Sequence, residues 1–205
     1  KFLYLSPERL SSPLFLACLP ELPIQLIVVD ECHCISQWGY DFRPSYLKIA
    51  EIRRYYPSVP LLALTATATP EVVADVMARL SFREPHVISS SFARDNLQYI
   101  VRPTTDKATE LLHILAPTSG SAIVYCRNRK KTQELAEMLQ EAGVSAHYYH
   151  AGLTHAEREI KQNAWMAGEV RVMVCTNAFG MGIDKPDVRL VVHWSMPVAL
   201  EEYFQ

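Results

Sequence analysis

Asp30 and Glu31 stand side by side behind Ile24-Gln25-Leu26-Ile27-Val28-Val29, and this pair is where the chain could do chemistry. The run before them is almost wholly apolar and reads as a buried parallel strand. Two carboxylates where such a strand ends suit nucleotide hydrolysis. Asp30 can hold Mg²⁺, directly or through water, and Glu31 can orient or deprotonate the water that attacks a γ-phosphate. The same pair would also serve as an acidic turn that keeps a loop solvated. The next stretch, Cys34-Ile35-Ser36-Gln37-Trp38-Gly39-Tyr40-Asp41-Phe42-Arg43-Pro44, crowds three aromatics, an arginine and a glutamine into a loop. Exposed aromatic rings can stack on the bases of a single strand, or they can cover a small satellite core.

The elements around these residues alternate strand and helix, which implies an α/β fold with parallel sheets flanked by helices. Strands are expected at Phe2–Leu5, Ile24–Val29 and Pro60–Leu64, and extended chain at Val87–Ser89 and Leu97–Val101. A helix is expected over Ser45–Tyr56, with Ile49, Ile52 and Tyr56 on one face. Thr69 caps a second helix with Pro70 in its first turn, and Val73, Val76, Met77 and Leu80 repeat on one side. Arg102 to Asp106 reads as a connection, after which the pattern restarts. Helices are expected at Lys107–Leu115 and Thr132–Ala142, and from the capping box of Thr154 and Glu157 to Met166. Strands are expected at Ala122–Tyr125, Ala146–Tyr149, Val172–Cys175 and Leu190–His193.

With 205 residues, 49% of them hydrophobic, and a mean hydropathy of +0.01, the chain has material for a substantial core in one or two domains. No run approaches a membrane span and no signal peptide opens the sequence. A net charge of −2 and a pI near 6.4 argue against nucleic-acid binding by bulk electrostatics, but not against a local grip on a few phosphates. Five cysteines, an odd number without framework spacing, fit a reducing intracellular setting. Cys18, Cys126 and Cys175 are expected to pack as small hydrophobes. Cys32, His33 and Cys34 are too close together for a tetrahedral structural zinc site, so no zinc is expected in this segment.

Asp30 through Pro44 resembles motif II and the aromatic-rich loop of the RecQ family of DNA helicases. Further matches follow in order. Tyr4-Leu5-Ser6-Pro7-Glu8-Arg9-Leu10 resembles motif Ib, and Leu64-Thr65-Ala66-Thr67-Ala68-Thr69 resembles motif III. Ser91-Phe92-Ala93-Arg94-Asp95-Asn96-Leu97 resembles the segment joining the motor lobes. Ile123-Val124-Tyr125-Cys126 with Arg127-Asn128-Arg129 resembles motif IV. Tyr149-His150-Ala151-Gly152-Leu153 and Ala178-Phe179-Gly180-Met181-Gly182-Ile183-Asp184-Lys185-Pro186 resemble hallmarks of the second lobe, the latter motif V.

The resemblance implies two RecA-like lobes, both incomplete here: the later part of the first over 1–101, a linker at 102–106, and the second over 107–205. It implies an ATP- and Mg²⁺-dependent 3′-to-5′ DNA helicase motor, acting in repair and recombination on single-stranded and partly duplex DNA. Asp30 would take Mg²⁺, Glu31 would be the catalytic base, and His33 would couple the nucleotide site to the loop. Gln37, Trp38, Phe42 and Arg43 would sense single-stranded DNA, and Thr65 and Thr67 would link hydrolysis to lobe movement. Ser6, Arg127, Arg129 and His150 would hold DNA phosphates, Gly182 would meet the nucleotide, and Asp184 would meet the nucleotide or the partner lobe. Each also has a plainer reading: Ser6 as a cap beside Glu8, Thr65 and Thr67 bonding their own backbone, the basic residues as a solvated turn at a helix start, and His150 as a turn histidine. Tyr40 and Asp184 depart from the family's usual histidine and asparagine.

No Gly-x-x-x-x-Gly-Lys-Ser/Thr loop occurs in the sequence, and the family's arginine motif VI would follow Gln205. The segment alone is therefore expected to be inactive. Zinc-binding and winged-helix regions, bound zinc included, are expected only further on. Repair or single-strand-binding proteins are candidate partners. The expected setting is bacterial cytoplasm near the nucleoid, or a nucleus if the source is eukaryotic. Two other readings stay open: a DEAD-box-like RNA helicase, and a non-catalytic RecA-like clamp for DNA or protein.

Overall fold

A computed structural model describes residues 1–39, 41–91, 93–180, 182–197, 199–200 and 203. Tyr40, Phe92, Met181 and Gln205, which the motif reading quotes, lie outside the described residues. Two compact units form, one over Lys1–Ala93 and one over Arg94–Pro197. The divide falls ahead of 102–106, where the sequence places the connection, and residues 94–106 carry neither helix nor strand.

The first unit holds a parallel pair, β1 (Ile27–Val29) and β2 (Leu61–Ala63), with Ile27 opposite Leu61 and Val29 opposite Ala63. Two helices flank them, α1 (Pro13–Cys18) and α2 (Pro70–Arg79). Both strands are shorter than the apolar runs suggest, because hydrogen bonding leaves only three ladder residues in each. Thr69 caps α2, its hydroxyl accepting the Val72 N–H, and Val72, Val76 and Leu80 are buried. The helix expected over Ser45–Tyr56 is a 3₁₀ helix over Pro44–Arg54. Tyr46, Ile49 and Ile52 recur every third residue, so the three-residue turn lines them up against the core. Phe2–Leu5 is not a strand. It pairs with no strand among the described residues, and Phe2 is 89% exposed. Val87–Ser89 and Leu97–Val101 likewise form no ladder. Cys18 ends the short α1 and is exposed, not packed, whereas Cys32, Cys34, Cys126 and Cys175 are buried.

The second unit is a four-stranded parallel sheet in the order β4-β5-β3-β6, from β3 (Ser121–Tyr125), β4 (Ala146–Tyr149), β5 (Val172–Cys175) and β6 (Val188–His193). Its helices are α3 (Lys107–Leu115), α4 (Arg129–Glu141) and α5 (His155–Met166). All four residues of β5 are buried, as its continuous apolar run requires of a strand covered on both faces. Thr154 and Glu157 form the expected capping box. Asp106 caps α3 by accepting the Ala108 and Thr109 N–H groups, and Asn128 caps α4, which starts three residues earlier than expected.

Candidate nucleotide and nucleic-acid sites

The strand pairing sets the acidic pair in place. Leu64 N–H donates to Val29 O at 2.8 Å and Cys32 N–H to Leu64 O at 2.9 Å, so the chain leaving β1 stays tied to the chain leaving β2. Asp30 and Glu31 thereby come to lie beside Thr65. Asp30 is exposed, and its Oδ1 accepts the Glu31 N–H at 2.9 Å. Glu31 takes the left-handed conformation, φ 49°, and caps the 3₁₀ turn Cys32–Ile35. A non-glycine residue held there carries backbone strain of the kind that gathers at functional sites.

His33 is fully buried and lies between Glu31 and Thr65. Its Nδ1 is 2.9 Å from Thr65 Oγ1 and 3.4 Å from Glu31 Oε2. Thr65 Oγ1 donates to Thr67 O at 3.1 Å and accepts the Thr67 N–H at 3.3 Å, which leaves it one acceptor position for the imidazole. The nearby carboxylate also favours a proton on Nδ1, so the neutral Nδ1–H tautomer fits. Burial lowers the His33 pKa, outweighing Glu31 and Asp41, which raise it, while Arg43 adds to the lowering. The 3.4 Å approach to Glu31 is not a directed hydrogen bond, and Glu31 Oε2 is a buried carboxylate oxygen with no hydrogen-bond partner. Such an oxygen is costly unless something polar meets it. With the exposed carboxylate of Asp30 next to it, the donor set fits a hydrated magnesium–nucleotide: Asp30 would hold the ion and Glu31 would face its water.

The turn beyond His33 carries the aromatic loop. Trp38 is 77% exposed, Gln37 is exposed and Phe42 is half-buried. Arg43 pairs with the carboxylate of Asp41 through Nε at 2.9 Å and through Nη2. Of its two expected partners, carboxylate or phosphate, it takes the carboxylate here. Cys34 Sγ lies 3.6 Å from His33 Nε2 and 3.7 Å from Asp41 Oδ2, so His33, Cys34 and Asp41 form a compact donor trio among the described residues. Arg43 occupies Asp41 Oδ2 with two N–H groups, and burial pushes the Cys34 thiol up to about 12. Ser6 stands at the start of the turn Pro7–Ser11 without capping it through its side chain. Glu8 is held below the usual carboxylate range by its own backbone N–H, then by the Ser45 and Ser6 hydroxyls.

In the second unit a basic corner forms at the start of α4. Asn128 Oδ1 accepts the Lys130 N–H at 2.8 Å. Arg127 reaches the carbonyl of Met196 through Nη2, and Lys130 and Lys131 both approach Glu134. Arg129 and His150 meet at Gly152: a Cβ there would lie 3.2 Å from Arg129 Nη1 and 3.2 Å from His150 Nδ1. The Gly152 N–H donates to His150 Nδ1 at 3.2 Å. Gly182 has φ 73° and Asp184 is exposed. At Gly180, φ 127°, a Cβ would lie 2.3 Å from the Tyr125 hydroxyl, which donates to Phe179 O at 3.0 Å. Sequence reasoning quoted Tyr125, Asn128 and Ser36 within motifs without giving them a role, and passed over Asp75. Asp75 left a trace, a carboxylate on the apolar side of α2 between Val72 and Val76.

Comparison with known proteins follows these sites. The DEAD/DEAH box helicase family matches residues 1–76, and the helicase conserved C-terminal domain matches residues 106–205. The ATP-dependent DNA helicase RecQ of Pasteurella multocida is 40% identical over the whole chain, which covers 33% of that protein. The probable ATP-dependent DNA helicase RecS of Bacillus subtilis is 43% identical over the whole chain, covering 42% of that protein, and the RecQ-like DNA helicase blm-1 of Caenorhabditis elegans is 43% identical, with 22% covered. The chain thus spans well under half the length of these relatives. The structure of S. cerevisiae Dbp5 bound to RNA and ADP BeF3 superposes with a TM-score of 0.68 at 21% identity, over 88% of this chain and 48% of that one, a likeness of fold. No helix among the described residues is long and apolar enough to cross a membrane.

Proposed function

We propose that this chain, which belongs to the RecQ family of helicases, is part of the motor of an ATP-dependent DNA helicase. The observation that carries the reading is Glu31 Oε2, buried without a hydrogen bond and 3.4 Å from His33 Nδ1, beside an exposed Asp30 at the end of β1. Mg²⁺ held by Asp30 would neutralise phosphate charge when bound. Glu31, held by its left-handed backbone, would turn its half-buried carboxylate toward the attacking water. His33, neutral and bonded to Thr65, holds that carboxylate's surroundings without bringing a competing positive charge. Trp38 offers its exposed ring to the bases of a single strand, with Gln37 before it and Phe42 further along the same loop. Arg129 at the start of α4 and His150 after β4, which meet at Gly152, suit a phosphate together with Arg127, since the first amides of a helix and nearby cations both favour an anion. Ser6, Thr67, Gly182 and Asp184 complete the set by family resemblance. The same resemblance supports 3′-to-5′ translocation, a role in DNA repair, partly duplex DNA as substrate, and a boundary between the lobes at 102–106. The resemblance supports a further expectation: this 205-residue chain, whose sequence contains no phosphate-cradling Gly-x-x-x-x-Gly-Lys-Ser/Thr loop, is expected to be inactive alone.

The test is a titration of the full-length parent with single-stranded DNA while ATP hydrolysis is followed, alongside its Trp38→Ala variant. The wild type is expected to be strongly stimulated, and the variant to lose most of the stimulation. An unstimulated wild type that still binds DNA would instead favour a clamp.

A further inference from the structure

We propose that Ser36 and Asp75 are positioning residues that tie the Trp38 loop to α2, so that a strand engaging the loop moves the segment carrying Thr65 and Thr67. Ser36 is fully buried, and its hydroxyl donates to Asp75 Oδ2 at 2.7 Å. The same hydroxyl oxygen accepts the Trp38 N–H at 3.2 Å. Two hydrogen bonds therefore run from the backbone of the exposed Trp38 to a helix side chain 39 residues further along the sequence from Ser36. Asp75 is fixed in turn by Arg79, whose Nε lies 2.8 Å from Oδ1 and 2.9 Å from Oδ2.

The geometry ties the loop at its other end as well. The Ser36 N–H donates to His33 O at 3.1 Å and the Gly39 N–H to Ser36 O at 3.1 Å. A Cβ on Gly39 would lie 2.7 Å from His33 O, so the turn closes directly over the histidine that contacts Glu31 and Thr65. Helix α2 starts at Pro70, directly after Thr65-Ala66-Thr67 and its cap Thr69. Trp38 is thus connected to the neighbourhood of Glu31 by two routes, through His33 and through Ser36–Asp75–α2. A tie made only for packing would be served by an apolar pair. A charge-assisted hydrogen bond with fixed direction transmits a displacement of one end to the other.

The inference rests on the motor reading, and the experiment separates the two. Full-length parent and its Ser36→Ala, Asp75→Ala and Asp75→Asn variants are assayed for ATP hydrolysis against single-stranded DNA concentration, with thermal midpoints recorded. Ser36→Ala and Asp75→Ala are expected to keep the DNA-free rate within about twofold while the maximal stimulated rate falls roughly tenfold, the scale of one hydrogen bond to a charged acceptor. The DNA concentration giving half-maximal stimulation should change less than about threefold by the same reasoning, since no DNA-contacting group is removed. Asp75→Asn, which keeps an acceptor oxygen for Ser36, should recover most of the stimulation. Wild-type stimulation in all three variants would overturn the tether. So would a parallel fall of both rates with the thermal midpoint, the mark of a purely structural role. A wild type without stimulation would remove the motor reading, and the tether with it.

Discussion

The two units use the same architecture and spend it differently. In the second, β5 is buried along its whole length and lies between β4 and β3, and Trp165 packs edge-on against Phe179 with centroids 5.3 Å apart. In the first, β1 and β2 are three residues each and one face is open, with Val28 51% and Leu62 45% exposed. There the order around Glu31 comes from side-chain hydrogen bonds: His33 to Thr65, Ser36 to Asp75, Arg43 to Asp41. The lesson is that one unit is held by burial and the other is held at its site by polar ties. Substitutions in the second should chiefly cost stability, whereas those in the first should chiefly cost coupling.

The largest stability effect is expected at Trp165. Replacing this fully buried ring by alanine should cost about 3–5 kcal/mol, read as a lowered unfolding midpoint in denaturant. Gly180→Ala should follow at about 1–3 kcal/mol, because the new Cβ meets the Tyr125 hydroxyl and the backbone is left-handed. Removing that hydroxyl with Tyr125→Phe in the same chain should relieve part of the loss. Thr154→Ala, which breaks the capping box of α5, should cost about 1 kcal/mol by the same assay. Acid should weaken both units. Burial lowers the pKa of His33 in one, and burial followed by Lys161 lowers that of His147 in the other. The unfolded chain therefore binds protons first, and stability present above the ordinary histidine value of 6.5 is lost as pH falls below it. A His147→Gln variant should show a flatter thermal midpoint between about pH 7 and 5, the span set by histidine titration. At the small end, Val28→Thr on the open face of β1 should change stability by less than about 0.5 kcal/mol. A large loss there would mean that the face is covered and the contrast between the units is false.

The same contrast decides what could be read in advance. Lys107–Leu115, Ala146–Tyr149 and Val172–Cys175 match expectation because apolar periodicity and burial agree in the second unit. In the first, the apolar runs overstate the strands, and spacing alone does not separate a 3₁₀ helix from an α-helix over Pro44–Arg54. Asp30 and Glu31 were legible because a strand end exposes them. The ties that organise their surroundings were not. His33 and Thr65 are 32 residues apart, Ser36 and Asp75 are 39, and no local pattern announces such a pairing.

The central claim is that Glu31, left-handed at the end of β1 beside Asp30, drives hydrolysis in a motor. It is tested most directly by the steady-state ATP hydrolysis rate of the full-length parent and of its Glu31→Gln variant, each saturated with single-stranded DNA. A loss of at least about a hundredfold in the variant, with DNA binding intact, is the expected result. A variant that hydrolyses ATP at the wild-type rate would contradict the account.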